Sequence, residues 1–280
     1  MIDNMEVNFV ENYDKNLKIY ESNLVSRVLR KPYKYIFTKA ANIFLNRFNK
    51  TLKLRAKTFW NEYFYVVLPD FYSTIIYRHG FVEEYLITYM FKHLKDGSTF
   101  IDAGAHFGYF SALASKLVGT KGRVHSFEPT RHTFKVLELN MKSRENVTVN
   151  NIALWNSAGK IRFRDFGVAN SALNTIKEAR VNEENKNFFE KESYEINTIS
   201  LDKYCEDNHV KPDFVKIDAE NSEMEILKGM DGVIQRYSPV IVMEVGDFKA
   251  ENFSQSRNLL NYLQEKGYKP FEYDKGNIIE

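Results

Sequence analysis

The chain has 280 residues, 44% hydrophobic and 27% charged, with 39 Lys and Arg against 37 Asp and Glu. Those values exclude wholesale disorder and a fibrous repeat, and the length suits one large core, or one core with an appendage. The single cysteine, Cys205, excludes an internal disulfide and a cysteine-clustered metal site. There is no apolar run long enough to cross a bilayer, and the start lacks the basic-then-apolar order of a secretory signal, so a cytoplasmic protein is expected.

The charge is unevenly spread. Arg27, Arg30, Lys31, Lys34, Lys39, Arg47, Lys50, Lys53, Arg55 and Lys57 follow one another with no acid between them. That block carries +10, which leaves −8 for the rest of a chain whose total is +2. Residues 1–57 are read as a basic, helical N-terminal extension, because Ile36, Ala40, Ile43, Phe44 and Phe48 recur at helical spacing. Residues 58–280 are read as the catalytic-type domain. It opens with TFWNEYFYVVLPDFYSTIIYR, whose aromatic and β-branched content favours strands. A helix is expected from Phe81 to His93, then a turn at Lys95, Asp96 and Gly97.

Strands and helices then alternate. The strands are read at Thr99–Ala103, Arg123–Glu128, Val147–Ile152, Phe214–Asp218 and Val240–Val245, and the helices at Tyr109–Val118, Arg131–Lys142 and Glu223–Lys228. Ser222 and Glu225 have capping-box spacing ahead of the last helix. This rhythm predicts an α/β fold, doubly wound, with a mainly parallel sheet covered on both faces. Between about 156 and 200 it breaks: IRFRDF reads as a strand and ARVNEENKNFFEKES as an exposed loop or short helix.

The most informative segment is TFIDAGAHFGYF, a strand ending at Asp102 followed by a turn framed by Gly104 and Gly108. Its D-x-G-x-x-x-G spacing is neither a dinucleotide fingerprint nor a P-loop. The second strand ends in Glu128, 26 residues after Asp102. An acid in that position can accept both hydroxyls of an unphosphorylated ribose. Glycine turn and acid together suit a nucleoside without phosphates, such as S-adenosylmethionine, whose cationic groups welcome carboxylates.

These stretches, with VTVNNIALWNSAGKIRF, TISLDKY, PDFVKIDAENSEMEILKGM and SPVIVMEVG, resemble the FkbM family of S-adenosylmethionine-dependent methyltransferases over roughly Tyr77 to Asp274. The resemblance implies the class I (Rossmann-like) methyltransferase fold. It implies that Asp102, Gly104 and Gly108 form the cofactor turn, that Glu128 holds the ribose, that Ile152 and Ala153 lie beside the adenine, and that Asp218 faces the methionine end and the acceptor. His106 either approaches the cofactor, acts as a base or packs within the turn. Asn221 stands where the family usually has glycine, a change the left-handed tolerance of asparagine can absorb.

Period-two alternation places Lys216, Asp218 and Glu220 on one side of the fourth strand and its exit. Asp218 and Glu220 are therefore the candidate catalytic bases, with Glu244 able to join them. Glu223 and Glu225 are first-turn helix acids. A divalent cation on Asp218, Glu220, Glu223 and Glu244 is the lesser reading, and a metal-free site is expected. There is no Asn/Asp-Pro-Pro-Tyr/Phe stretch after this strand, which disfavours methylation of nucleic-acid bases.

The expected reaction is O-methylation of a hydroxyl on a sugar, a glycan or another small molecule. Its alternatives are N-methylation, a protein or RNA acceptor, and a non-catalytic nucleoside-binding or scaffold protein. No sequence-specific nucleic acid is expected as a partner. For residues 27–57 the first reading is packing plus a solvated basic face, and the second is peripheral contact with an anionic membrane.

Overall fold

The computed structural model describes residues 2–165, 167, 192–219, 222–243, 254–274 and 277–279. The chain gathers into two compact units, one formed up to Glu84 and the other beginning at Tyr85.

The first unit opens with helices α1 (Ile2–Tyr20), α2 (Leu24–Arg30) and α3 (Pro32–Arg47). Strands β1 (Leu52–Lys57) and β2 (Tyr63–Leu68) then pair as an antiparallel hairpin, with Leu52 opposite Leu68 and Lys57 opposite Tyr63. Basic residues 53–57, read from the sequence as part of a helical extension, therefore lie on a strand. The expected continuation of β structure after Leu68 is also replaced, by helix α4 (Phe71–His79). Local capping decides this in favour of helix. The Asp70 carboxylate accepts from the Ser73 amide at 2.6 Å, and Gly80, at φ +71°, closes the far end by donating its amide to the Ile76 carbonyl. An aromatic cluster of Tyr13, Phe59 and Phe81, with centroids 5.6 to 5.9 Å apart, fills the centre of this unit.

The second unit begins with α5 (Glu84–His93) and is organised by one parallel sheet. Its strands are β3 (Thr99–Ala103), β4 (Arg123–Phe127), β5 (Val147–Asn150), β9 (Phe214–Ile217) and β10 (Val240–Met243), in the spatial order β10-β9-β3-β4-β5. The order runs outward from β3 in one direction through β4 and β5, then restarts at β9 on the other side. That reversal makes the gap beyond the carboxyl ends of β3 and β9 the switch point, where such sheets bind ligands. The connecting helices α6 (Tyr109–Leu117), α7 (Arg131–Met141), α8 (Leu201–Asn208), α9 (Glu223–Lys228) and α10 (Asp231–Tyr237) flank the sheet, as a doubly wound fold requires.

Period-two alternation explains how both faces are filled. Ile101, Ala103, Phe127, Val215 and Ile217 point into one core with Leu201 and Tyr204 of α8 and with Ile226, Leu227, Met230, Val233 and Ile234 of the α9–α10 region. Their strand neighbours point the other way: Phe100 meets Phe214 at 5.5 Å, and Asp102 and Ser126 meet Ser111 of α6.

A second, three-stranded sheet occupies the region where the sequence rhythm breaks. It contains β6 (Ala153–Leu154), β7 (Gly159–Asp165) and β8 (Glu192–Ile199) in the order β6-β8-β7. Strands β7 and β8 pair antiparallel, from Gly159 opposite Thr198 to Asp165 opposite Glu192. The IRFRDF reading is thus met by β7, β8 went unread, and the polar stretch before it lies outside the described residues as far as Lys191. The chain finishes with α11 (Ser254–Glu265) and the short hairpin of β11 (Glu272–Asp274) and β12 (Asn277–Ile279).

One capping expectation fails. Ser222 precedes α9 at φ −104°, ψ 1°, outside the extended cap conformation, and its hydroxyl makes no hydrogen bond among the described residues. Glu225 does not reach back; its carboxylate accepts from Asn156 Nδ2 at 2.6 Å and pairs with Lys228 at 3.4 Å.

Candidate active site

The turn after β3 is built by three consecutive departures from ordinary backbone. Gly104, His106 and Gly108 have φ of +78°, +51° and +87°. At Gly104 there is also no room for a side chain: a Cβ there would sit 1.8 Å from the Asp218 carbonyl oxygen. Glycine at this position lets the exits of β3 and β9 touch, and the Asp218 amide donates to the Ala103 carbonyl at 3.0 Å alongside. At Gly108 the constraint is packing, since a Cβ would lie 2.5 Å from Leu137 Cδ1 of α7. The turn is tied to the end of β4 by the Gly104 and Ala105 amides, which donate to the Phe127 carbonyl at 3.0 and 2.9 Å.

Glu128 follows directly and is only 6% exposed. One carboxylate oxygen accepts from the His106 amide at 2.9 Å, the other from the Thr130 amide at 2.8 Å. Burial pushes its carboxyl above the usual carboxylate range; nearby His106 and the hydrogen bonds from Thr130 and His106 oppose the shift without cancelling it. The Thr130 side chain adds a third hydrogen bond, and the roughly four lone-pair sites of a carboxylate still leave room for a ribose hydroxyl. Asn151 Nδ2 donates to the Glu128 carbonyl at 2.9 Å, fixing the chain on the far side. The residues present therefore fit an unphosphorylated nucleoside.

Asp102 is fully buried and faces α6. Its Oδ2 accepts from Ser111 Oγ at 2.6 Å, and Ser111 in turn accepts from Ser126 Oγ at 2.7 Å. The counter-charge is Lys216, itself 3% exposed. Its ammonium lies 3.3 Å from Asp102 Oδ1, 3.3 Å from the Gly104 carbonyl and 3.2 Å from Asp218 Oδ2, with the Phe110 ring 5.6 Å away. A buried ammonium is costly unless its donors are met, and here the Gly104 carbonyl and Asp218 Oδ2 accept from it while Asp102 supplies the opposite charge. Spacing along the strand alone sets Lys216 beside Asp218 and not beside Asp102. The same alternation, carried across the parallel register that sets Asp102 opposite Lys216, would have placed the two on one face.

The structure thus brings Asp102, Gly104, His106, Gly108, Glu128 and Asp218 to the carboxyl ends of β3, β4 and β9. Asp218 is the most open of the carboxylates, its side chain 36% exposed. The His106 ring packs against Phe107 with centroids 4.0 Å apart. Ile152 packs against the main core, whereas Ala153 is buried with Phe163 and Ile196 in the small sheet. Glu220, with Asn221 and Glu244, lies outside the described residues. Beside Glu128, Tyr194 of β8 lies under the Arg131 guanidinium at 4.4 Å, and burial pushes its phenol up to about 12.

The sequence matches a known family. Residues 102–270 match the model of the methyltransferase FkbM domain, which bears out the resemblance read from the sequence. A curated relative, the hexuronic acid methyltransferase AglP of Haloferax volcanii, is 30% identical over 162 residues, which are 57% of this chain and 61% of that protein. The chain thus spans less than two thirds of that relative's length. Among solved structures, a methyltransferase FkbM from Methylobacillus flagellatus KT is 17% identical, with 71% of this chain and 49% of that one covered at a TM-score of 0.39. A precorrin-6y C5,15-methyltransferase from Geobacter metallireducens GS-15 is 17% identical, with coverage of 69% and 76% and a TM-score of 0.41.

Proposed function

This chain belongs to the FkbM methyltransferase family, and we propose that it transfers a methyl group from S-adenosylmethionine to a hydroxyl of a sugar or glycan. The observation that carries the reading is Glu128: a buried carboxylate, oriented by two backbone amides, beside a glycine turn at the switch point of the sheet. A sugar acceptor is supported by AglP, whose name gives it a hexuronic acid as substrate.

S-adenosylmethionine supplies an electrophilic methyl group on a sulfonium when bound. On the protein side, Glu128 accepts the ribose hydroxyls, and the Gly104–Gly108 turn lets the ligand approach the backbone. Lys216 holds one Asp218 oxygen at 3.2 Å and braces the Gly104 carbonyl, so the turn and the carboxylate keep a fixed relation. The other Asp218 oxygen is left to accept the hydrogen bond of an acceptor hydroxyl. With the methyl group that the bound cofactor would supply going to the acceptor oxygen, Asp218 would take up the hydroxyl proton.

The test is transfer of a tritiated methyl group to glycans bearing uronic acids, neutral glycans, RNA and protein. Label is expected in a glycan fraction. Label confined to RNA or protein would remove the acceptor assignment, and tight cofactor binding with no transfer to any class would remove catalysis.

A further inference from the structure

We infer that the exposed face of α2 and α3 docks on an anionic lipid surface. This goes beyond the methyltransferase reading and does not depend on it.

Helix α3 carries two apolar sides where a surface helix needs one. The inner side is fixed by contacts within its own unit. Thr38 and Leu45 are buried, Arg78 Nε donates to Thr38 Oγ1 at 2.8 Å, and Asn42 Nδ2 donates to Thr74 Oγ1 at 3.0 Å. On the opposite side Tyr33, Ile36, Ile43 and Phe44 face water, with Ile36 69% and Ile43 64% exposed. Helix α2, next in the chain, also exposes Leu24, Val25 and Leu29, the last 73% exposed. Isolated exposed apolar residues need no explanation, but seven large ones on two successive helices mark a surface that something covers.

The charge around it identifies the cover. Arg30, Lys31, Lys39, Arg47 and Lys50 are exposed on or beside these helices, and no Asp or Glu occurs from residue 22 to residue 61. Lys34 is the exception that turns inward, its ammonium donating to the Tyr77 carbonyl at 2.6 Å. The field is felt inside the unit: burial first, then Arg27, Lys31, Arg78 and Lys34, bring the His79 imidazole down to about 4.

A second copy of the chain would cover the apolar residues but would bring the same block of like charge against them. A nucleic acid would answer the charge and leave Leu29, Ile36 and Ile43 in water. An anionic bilayer answers both, with aliphatic side chains at the acyl boundary and cations among the phosphates. No helix among the described residues is long and apolar enough to cross a membrane, so the contact is at the surface.

The experiment is sedimentation of the full chain with sucrose-loaded vesicles. Phosphatidylcholine mixed with phosphatidylglycerol should retain the protein at low salt and release it at high salt, and pure phosphatidylcholine should retain far less. The double variant Lys39→Glu/Arg47→Glu should weaken retention on the order of 30-fold or more, at roughly 1 kcal/mol per cation. Ile36→Ser/Ile43→Ser, which leaves the charge unchanged, should weaken it at least about tenfold, at roughly 0.8 kcal/mol per buried methylene-sized group. These positions are solvent-exposed, so circular dichroism and cofactor binding should be unaltered in both variants. No retention by the mixed vesicles at low salt, equal retention by neutral ones, or unchanged retention of both variants would overturn the assignment. So would a dimer that Ile36→Ser/Ile43→Ser dissociates, because the face would then belong to a second copy.

Discussion

The two units depart from the ordinary division of polar outside and apolar inside in opposite directions. Around the sheet, Asp102, Lys216 and Glu128 are buried charges or acids, each held by named partners. In the N-terminal unit, Leu29, Ile36, Ile43 and Phe44 are large apolar groups facing water. Both arrangements cost folding free energy, and each marks a surface built for something besides folding. Asp102 and Lys216 answer one another within the protein and fix the strand ends, whereas Glu128 is the carboxylate proposed to take the ribose. The exposed apolar residues face water among the described residues, and the proposed lipid surface would cover them.

The largest effect should come from breaking the buried pair. Lys216→Met leaves Asp102 buried without its counter-charge, and should cost about 3–5 kcal/mol of unfolding free energy by urea titration. Adding Asp102→Asn should restore part of that loss; a double variant less stable than the single one would show that the pair is not coupled. Next comes the contact between strand exits. Gly104→Ala combines a left-handed φ with a Cβ 1.8 Å from the Asp218 carbonyl, and should cost about 1–3 kcal/mol together with cofactor affinity. Stability and affinity equal to the unsubstituted protein would mean that the turn tolerates a side chain.

The raised Glu128 carboxyl gives a pH signature with two opposed signs. Its ionised form is the one that accepts ribose hydroxyls, so cofactor affinity should fall as pH drops through a value above that of an ordinary glutamate. In the free protein the same group binds its proton more readily folded than unfolded. Its contribution to stability should therefore rise as pH falls from the folded value towards the ordinary one, and be lost as pH rises back through it. Glu128→Gln should flatten both trends, and an unchanged affinity profile in that variant would place the titrating group elsewhere. The smallest effect is expected at Ser222→Ala. With no cap bond to lose, the change should stay within about 0.5 kcal/mol, whereas a formed cap would cost about 1 kcal/mol.

The parallel sheet was legible because its strands follow simple rules. Thr99–Ala103 is a short apolar run bounded by turn signals, and the alternation of strand and helix dictates a parallel arrangement. Asp102, Gly104, Gly108, Glu128 and Asp218 could be placed at strand ends for the same reason. Lys216 was overlooked because its partner Asp102 is remote in sequence, and pairing across strands depends on register rather than spacing. Strand β8 escaped because its pairing with β7 is long-range. Helix α4 was misread because Tyr72, Thr74, Ile75 and Ile76 favour strands, while the deciding contributions are the Asp70 cap and the left-handed Gly80. The capping box at Ser222 failed in the other direction: the spacing was right and the backbone angles were wrong.

The central claim, that Glu128 anchors the ribose of an S-adenosyl cofactor at the switch point, is tested most directly by calorimetric titration of S-adenosylhomocysteine. Wild-type protein should bind it, and a folded Glu128→Ala variant should bind on the order of 100-fold more weakly, as expected for loss of hydrogen bonds to a charged acceptor at about 1.5–3 kcal/mol. No binding to the wild-type protein, or equal affinity in the variant, would contradict the account.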